Sequence, residues 1–170
     1  MRLLQRLFGR PDRGTAPALY QAVVARAREP HWYAQGAVPD TLDGRFDMIA
    51  AMLSLVLIRL EGDPAGVAQG AMLTEVFIED MDGQLREIGI GDIVVGKHVG
   101  RMMAMLGGRI GAYREGLAAR DLKAALVRNL YRGAEPAPEA LAHVESAMTA
   151  LSESLGGASI SSLLAGALPR

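Results

Sequence analysis

The sequence predicts an all-α protein, and three observations carry that prediction. Apolar residues take helical spacing at Phe46, Ile49, Met52, Leu53, Val56, Leu57 and Leu60, and from Val95 to Leu117 they recur in steps of three and four that define one helix face. No stretch of useful length alternates apolar and polar residues; the run Ile93, Val94, Val95 is too short for a strand and follows a good cap at Asp92. The pattern after Asp92 also carries a row of small residues, Gly96, Gly100, Ala104, Gly108, Ala112 and Gly116, each four apart. A glycine inside a helix loses ~0.8–1 kcal/mol relative to alanine. The row therefore predicts a groove into which a neighbouring helix sinks, and a long glycine-rich helix at the centre of the fold.

The elements follow in order. Residues 1–14 form a basic amphipathic extension, with Leu3, Leu4, Leu7 and Phe8 at helical spacing and Arg2, Arg6, Arg10 and Arg13 among them. Such a segment fits an anionic membrane surface, with arginines on lipid phosphates and leucines in the acyl boundary. Residues 15–170 read as a single helical domain. Its first helix spans residues 16–28, with Leu19, Tyr20, Val23, Val24 and Ala27 on one side, and is over by Pro30. An aromatic loop from His31 to Phe46 follows, pinned to the core by Trp32 and Tyr33. Asp40 or Thr41 caps the next helix, which is apolar nearly all round and ends at Gly62. Asp63 and Pro64 open a helix that delivers an acidic cluster at Glu79, Asp80 and Asp82. After a turn at Gly89 and Gly91 comes the glycine-rich helix, with Val95, Val99, Met102, Leu106, Ile110, Tyr113 and Leu117 as its stripe. Asp121 caps a helix that stops at Gly133. Residues 139–155 form another, with Leu141, Val144, Met148, Leu151 and Leu155 inward, and residues 159–168 suit a final short one.

Composition limits the function. A chain of 170 residues, 50% hydrophobic, can bury a proper core. The absence of cysteine excludes disulfides, thiol catalysis and thiolate metal sites. Eighteen basic residues against nineteen acidic ones are scattered along the chain, so no nucleic-acid footprint is predicted. The longest apolar stretch, residues 48–60, is broken by Ser54 and Arg59 and falls short of a membrane span. With no secretory h-region, the expected location is the cytoplasm, with the basic N-terminal stretch at a membrane surface.

Catalytic motifs are missing or incomplete. Gly91, four residues, Gly96 and Lys97 spell most of a phosphate loop, but His98 stands where a hydroxyl must reach magnesium. The carboxylates Glu79, Asp80, Asp82, Glu87 and Asp92 match no calcium loop, and His31, His98 and His143 supply no Glu-x-x-His motif. Ion pairing with Arg86, Lys97 and Arg101, or a protein-binding surface, is more economical. A metal- or small-ligand-binding protein using Glu79, Asp80 and Asp82 is the alternative, and a homodimer joined through the glycine row is a third reading. Met103 and Met105 lie off the main stripe and are expected at the surface.

Two segments carry a family resemblance. Val38, Pro39, Asp40, Thr41, Gly44, Arg45 and Phe46, and then Phe77 to Asp82, Leu85 to Gly91, Asp92, Val95, Gly96 and Lys97, resemble the ubiquinol-cytochrome c chaperone family. The resemblance covers roughly residues 16–131. It implies a non-catalytic assembly factor that holds newly made cytochrome b, without a cofactor. It also implies a small assembly-factor partner or the ribosome nearby, as for mitochondrial members. The Ala, Arg and Gly bias points to a bacterial relative. Joined to the resemblance, the charged residues Glu79, Asp80, Asp82, Arg86, Lys97 and Arg101 are the expected client or partner surface. Leu3, Leu4, Leu7, Phe8, Arg2 and Arg6 are the expected membrane contact.

Overall fold

A computed structural model describes residues 14–87 and 92–169, with side chains for all of these except residues 84–87 and 92–99. The N-terminal stretch with Arg2, Leu3, Leu4, Arg6, Leu7 and Phe8 lies outside the described residues, as does the turn at Gly89 and Gly91. The chain is all-α.

Helix α1, Ala16–Ala27, turns Leu19, Tyr20, Val23 and Val24 inward and closes ahead of Pro30. The aromatic segment expected as a loop begins with a one-turn helix, α2, Pro30–Ala34. Proline at its first position has φ already set for a helix and no N–H to leave unpaired. Trp32 is fully buried, and its Nε1 donates to the carbonyl of Arg26 at 2.8 Å, while the Tyr33 hydroxyl donates to Ala27 at 2.8 Å. The two rings thus satisfy carbonyls that the end of α1 leaves without helical partners.

Helix α3, Leu42–Glu61, is capped by Thr41, whose Oγ1 accepts from the Gly44 amide at 3.1 Å. Gly44 is required there, since a Cβ would lie 1.9 Å from the Pro39 carbonyl oxygen. Every residue from Asp47 to Leu57 is buried, because α3 is packed by α1, helix α4 (Pro64–Glu87), helix α5 (Asp92–Ala119) and helix α7 (Pro138–Gly157). This apolar helix occupies the middle of the fold, and the longer glycine-rich α5 packs beside it. Asp63 opens α4 by accepting from the Ala65 amide at 2.9 Å. Phe77 of α4 meets Tyr20 of α1 edge-on at 6.4 Å and Phe46 of α3 at 5.9 Å, joining three helices through their rings. Each fully buried large side chain of this kind contributes ~1.5–3 kcal/mol.

Helix α5 sends Met102, Leu106 and Tyr113 into the core, as the stripe predicts. The groove expected along its small residues does not form. Gly100, Ala104 and Gly108 are exposed, and nothing lies within 4 Å of a Cβ added at Gly100 or Gly108. An i to i+4 step overshoots one helical turn by about 40°, so the row winds around the helix. Gly100, Ala104 and Gly108 face away from the core stripe, Ala112 is half-buried against it, and Gly116 arrives inside, where a Cβ would lie 2.9 Å from the Asp121 carbonyl oxygen.

The short helix α6, Lys123–Asn129, starts after Asp121, whose Oδ1 accepts from the Lys123 amide at 3.1 Å. Its turn closes at Gly133, which has φ +85 and donates to Val127 at 2.8 Å. In α7, Val144, Met148, Leu151 and Leu155 face inward. Arg59 of α3 reaches the last turn of α7, donating to Leu155 and Ala158 at 2.9 Å each. Ser159 caps the final helix α8, Ile160–Leu164. The segment beyond α8 returns to the first helix, where Arg26 Nη2 donates to the Pro169 carbonyl at 2.6 Å and Gly166 lies against Ala18. One apolar cluster runs through all of this, from Leu19 to Leu163.

Candidate functional site

The acidic residues sit on the second half of α4, but they are not equivalent. Glu79 is exposed, whereas Asp80 and Asp82 are half-buried. Asp80 accepts a hydrogen bond from the Tyr20 hydroxyl at 2.7 Å. Burial, with this carboxylate beside it, pushes the Tyr20 phenol well above its ordinary range. Asp80 therefore helps to fasten α4 to α1. The side chains of Arg86 and Lys97 lie outside the described residues, so the basic half of the expected surface is represented by Arg101, which is exposed on α5. Close to it in the chain, Met103 and Met105 remain 47% and 38% exposed, as expected from their position off the stripe.

The phosphate-loop pattern fails on backbone grounds. Gly96 and Lys97 fall inside α5, which starts at Asp92 and leaves no loop between Gly91 and the helix to wrap a phosphate. Among the described residues, no group of three or more His, Asp or Glu side chains is placed to hold a metal ion. Nor, among those residues, is any helix long and apolar enough to cross a membrane.

An ionic cluster that sequence reasoning missed lies inside the fold. Asp47 of α3, fully buried, accepts from Arg109 Nη2 of α5 at 2.5 Å and from Arg132 Nε at 2.6 Å. Arg132 also donates to Asp43 at 2.6 Å and is held in the left-handed region, with φ 55. The Arg109 guanidinium stacks 5.6 Å from the Phe46 ring centroid. Burial pushes the Asp47 carboxyl up, and the two guanidiniums pull it back. The signal for this cluster was an aspartate opening an otherwise apolar run, since a carboxylate in such a place must be paired. One helical turn after Arg109, the Tyr113 hydroxyl is buried with no hydrogen-bond partner, and burial raises its pKa. At the surface, Arg45 holds the Asp40 carboxyl below its usual range through a 2.6 Å hydrogen bond.

The comparisons agree with this architecture. No curated protein matches the sequence. A solved structure, the crystal structure of the Cbp3 homolog from Brucella abortus, is similar to this chain with 34% sequence identity and a TM-score of 0.80. The similarity covers 97% of this chain and 92% of that one. Residues 34–169 match the Ubiquinol-cytochrome C chaperone family, a span that runs from the end of α2 to the segment returning to α1. On that match, the chain belongs to the ubiquinol-cytochrome c chaperone family.

Proposed function

We propose that this chaperone holds newly made cytochrome b, in a bacterial cell, until the subunit is built into ubiquinol-cytochrome c reductase, and that it acts by binding rather than by catalysis. The observation that carries this reading is the family match over residues 34–169, most of the helical fold. The contact surface includes Glu79, Asp80, Asp82, Arg86, Lys97 and Arg101. The exposed Met103 and Met105 support it, since flexible thioethers adapt to apolar segments of varied shape. The basic N-terminal stretch, with Arg2, Leu3, Leu4, Arg6, Leu7 and Phe8, brings the protein to the inner membrane where such a client is made. A small assembly-factor protein or the ribosome is the companion this role calls for.

A crosslinking pulldown from native membranes tests the central claim. Enrichment of cytochrome b over other abundant membrane proteins is expected; capture of only a soluble partner would mean that the fold has been kept and the task changed. Charge reversal at Asp80 and Lys97 is expected to impair assembly of the reductase. A folded double variant with normal assembly removes those residues from the surface. Deleting residues 1–9 is expected to weaken binding to anionic vesicles, and unchanged binding removes the membrane role.

A further inference from the structure

Where α2 meets α7, three titratable side chains form a chain of hydrogen bonds that no packing requirement explains. His31 Nδ1 lies 2.9 Å from His143 Nε2, and His31 Nε2 lies 3.1 Å from Glu29 Oε2. Arg26 Nη1 of α1 completes the series, donating to Glu29 Oε1 at 3.0 Å. The His31 ring rests on the buried Trp32 ring, with centroids 4.1 Å apart, and meets the His143 ring edge-on at 5.2 Å. Behind this contact the Val144 side chain of α7 packs against the Gly36 backbone, since a Cβ at Gly36 would lie 2.5 Å from Val144 Cγ2. The Tyr131 hydroxyl, beyond α6, donates to the Gly36 carbonyl at 2.5 Å. Glu139, in the first turn of α7, is the acid one turn before His143.

The protons of this array can be counted. The Glu29 carboxylate only accepts, so His31 Nε2 carries a proton, and in the neutral ring Nδ1 is bare. The bare Nδ1 accepts from His143 Nε2–H. A first added proton goes to His143 Nδ1 and leaves the contact as it was. A second must go to His31 Nδ1, and two N–H groups then confront each other between two cationic rings at 2.9 Å. That arrangement has no acceptor and a like-charge repulsion, so the rings must part.

We propose that Glu29, His31 and His143 form a proton-operated latch that fastens the Trp32 turn to α7, holding through the first protonation and opening on the second. Both rings are half-buried, so protons from solvent reach them. The structural element released is α2 with the turn to Val38, and Trp32 is the only tryptophan in the chain.

Hydrogen exchange and tryptophan emission of the full chain, followed from about pH 8 to about pH 5 where imidazole takes up protons, test the latch. Amides of residues 31–38 are expected to open about tenfold more at the acid end, after correction for intrinsic exchange, with a parallel change in Trp32 emission. The His143→Gln variant is expected to abolish both changes, because its amide donates to His31 Nδ1 without taking a proton. A flat wild-type profile, or a variant that keeps the wild-type profile, overturns the proposal. Should that variant fail to fold, nitrogen-15 spectra of the wild-type rings decide. His143 must carry its proton on Nε2 and His31 must lack one on Nδ1 at the alkaline end, and the opposite tautomers overturn the latch.

Discussion

Replacing Asp47 tests the interior of this fold most directly. In Asp47→Asn the side chain keeps its shape and loses its charge, leaving Arg109, whose side chain is 10% exposed, without a counter-ion. Breaking one side of a buried ion pair costs ~3–5 kcal/mol. Arg132 is the lesser loss, because half of its side chain reaches solvent and it retains Asp43; exposed pairs of that sort are worth ~0–1 kcal/mol. The expected destabilisation of Asp47→Asn is therefore ~3–4 kcal/mol. For a chain of this size, ~2–4 °C of melting temperature is lost per kcal/mol, so thermal denaturation followed by circular dichroism should show a fall of ~6–16 °C. Arg132→Gln should cost ~1 kcal/mol or less. The double variant Asp47→Leu with Arg109→Met, which removes both buried charges, should recover a large part of the loss. A cost below ~1 kcal/mol for Asp47→Asn, or equal costs for the two arginines, would refute the view that burial sets the strength of these pairs.

Three further outcomes follow from the same reasoning. Gly108→Ala should stabilise by ~0.5–1 kcal/mol, because its Cβ meets open space in a helix interior, whereas Gly116→Ala should destabilise against the Asp121 carbonyl; denaturant melts that rank the two the other way would discredit the described course of α5. Tyr113→Phe should be neutral or stabilising by ~1 kcal/mol in the same assay, since it removes a buried hydroxyl that has no partner, and a clear loss of stability would reveal a hydrogen bond there. Burial raises the pKa of Tyr20, Tyr33 and Tyr113, and pushes that of Tyr131 up to about 12. Their stabilising contribution is whole below the unfolded value of ~10 and is lost as pH rises through the folded values. Tyrosinate absorbance should thus appear together with loss of helix above about pH 10, and independent ionisation in the native state would contradict the burial.

Local chemistry was the legible part of this chain. Thr41, Asp63 with Pro64, and Asp121 act within three residues of themselves, so helix starts could be placed from single residues. The family motif was legible for the same reason, being written in consecutive positions from Phe77 onward. Pairings across the fold were not. Asp47 finds its partners 62 and 85 positions away, and Tyr20 reaches Asp80 across 60. His31 and His143 were visible only as isolated imidazoles, since the topology that brings them together is not written in their neighbours. The groove expected along the glycine row failed on geometry, because a row at four-residue spacing winds around the helix and leaves Gly100, Ala104 and Gly108 facing solvent.

The return of the last segment to α1 has a consequence for the order in which the protein forms. The Arg26 to Pro169 hydrogen bond joins positions 143 apart, and α8 packs on α1 and α4 as well. Contacts of such separation close late, after the shorter loops among α3, α4 and α5 have been paid for in entropy. On a ribosome, α1 would emerge first and wait with one flank uncovered until residues 160–169 arrive. A member of a chaperone family thus passes through an unfinished state of its own, with the flank of α1 around Ala18 the last to be sealed.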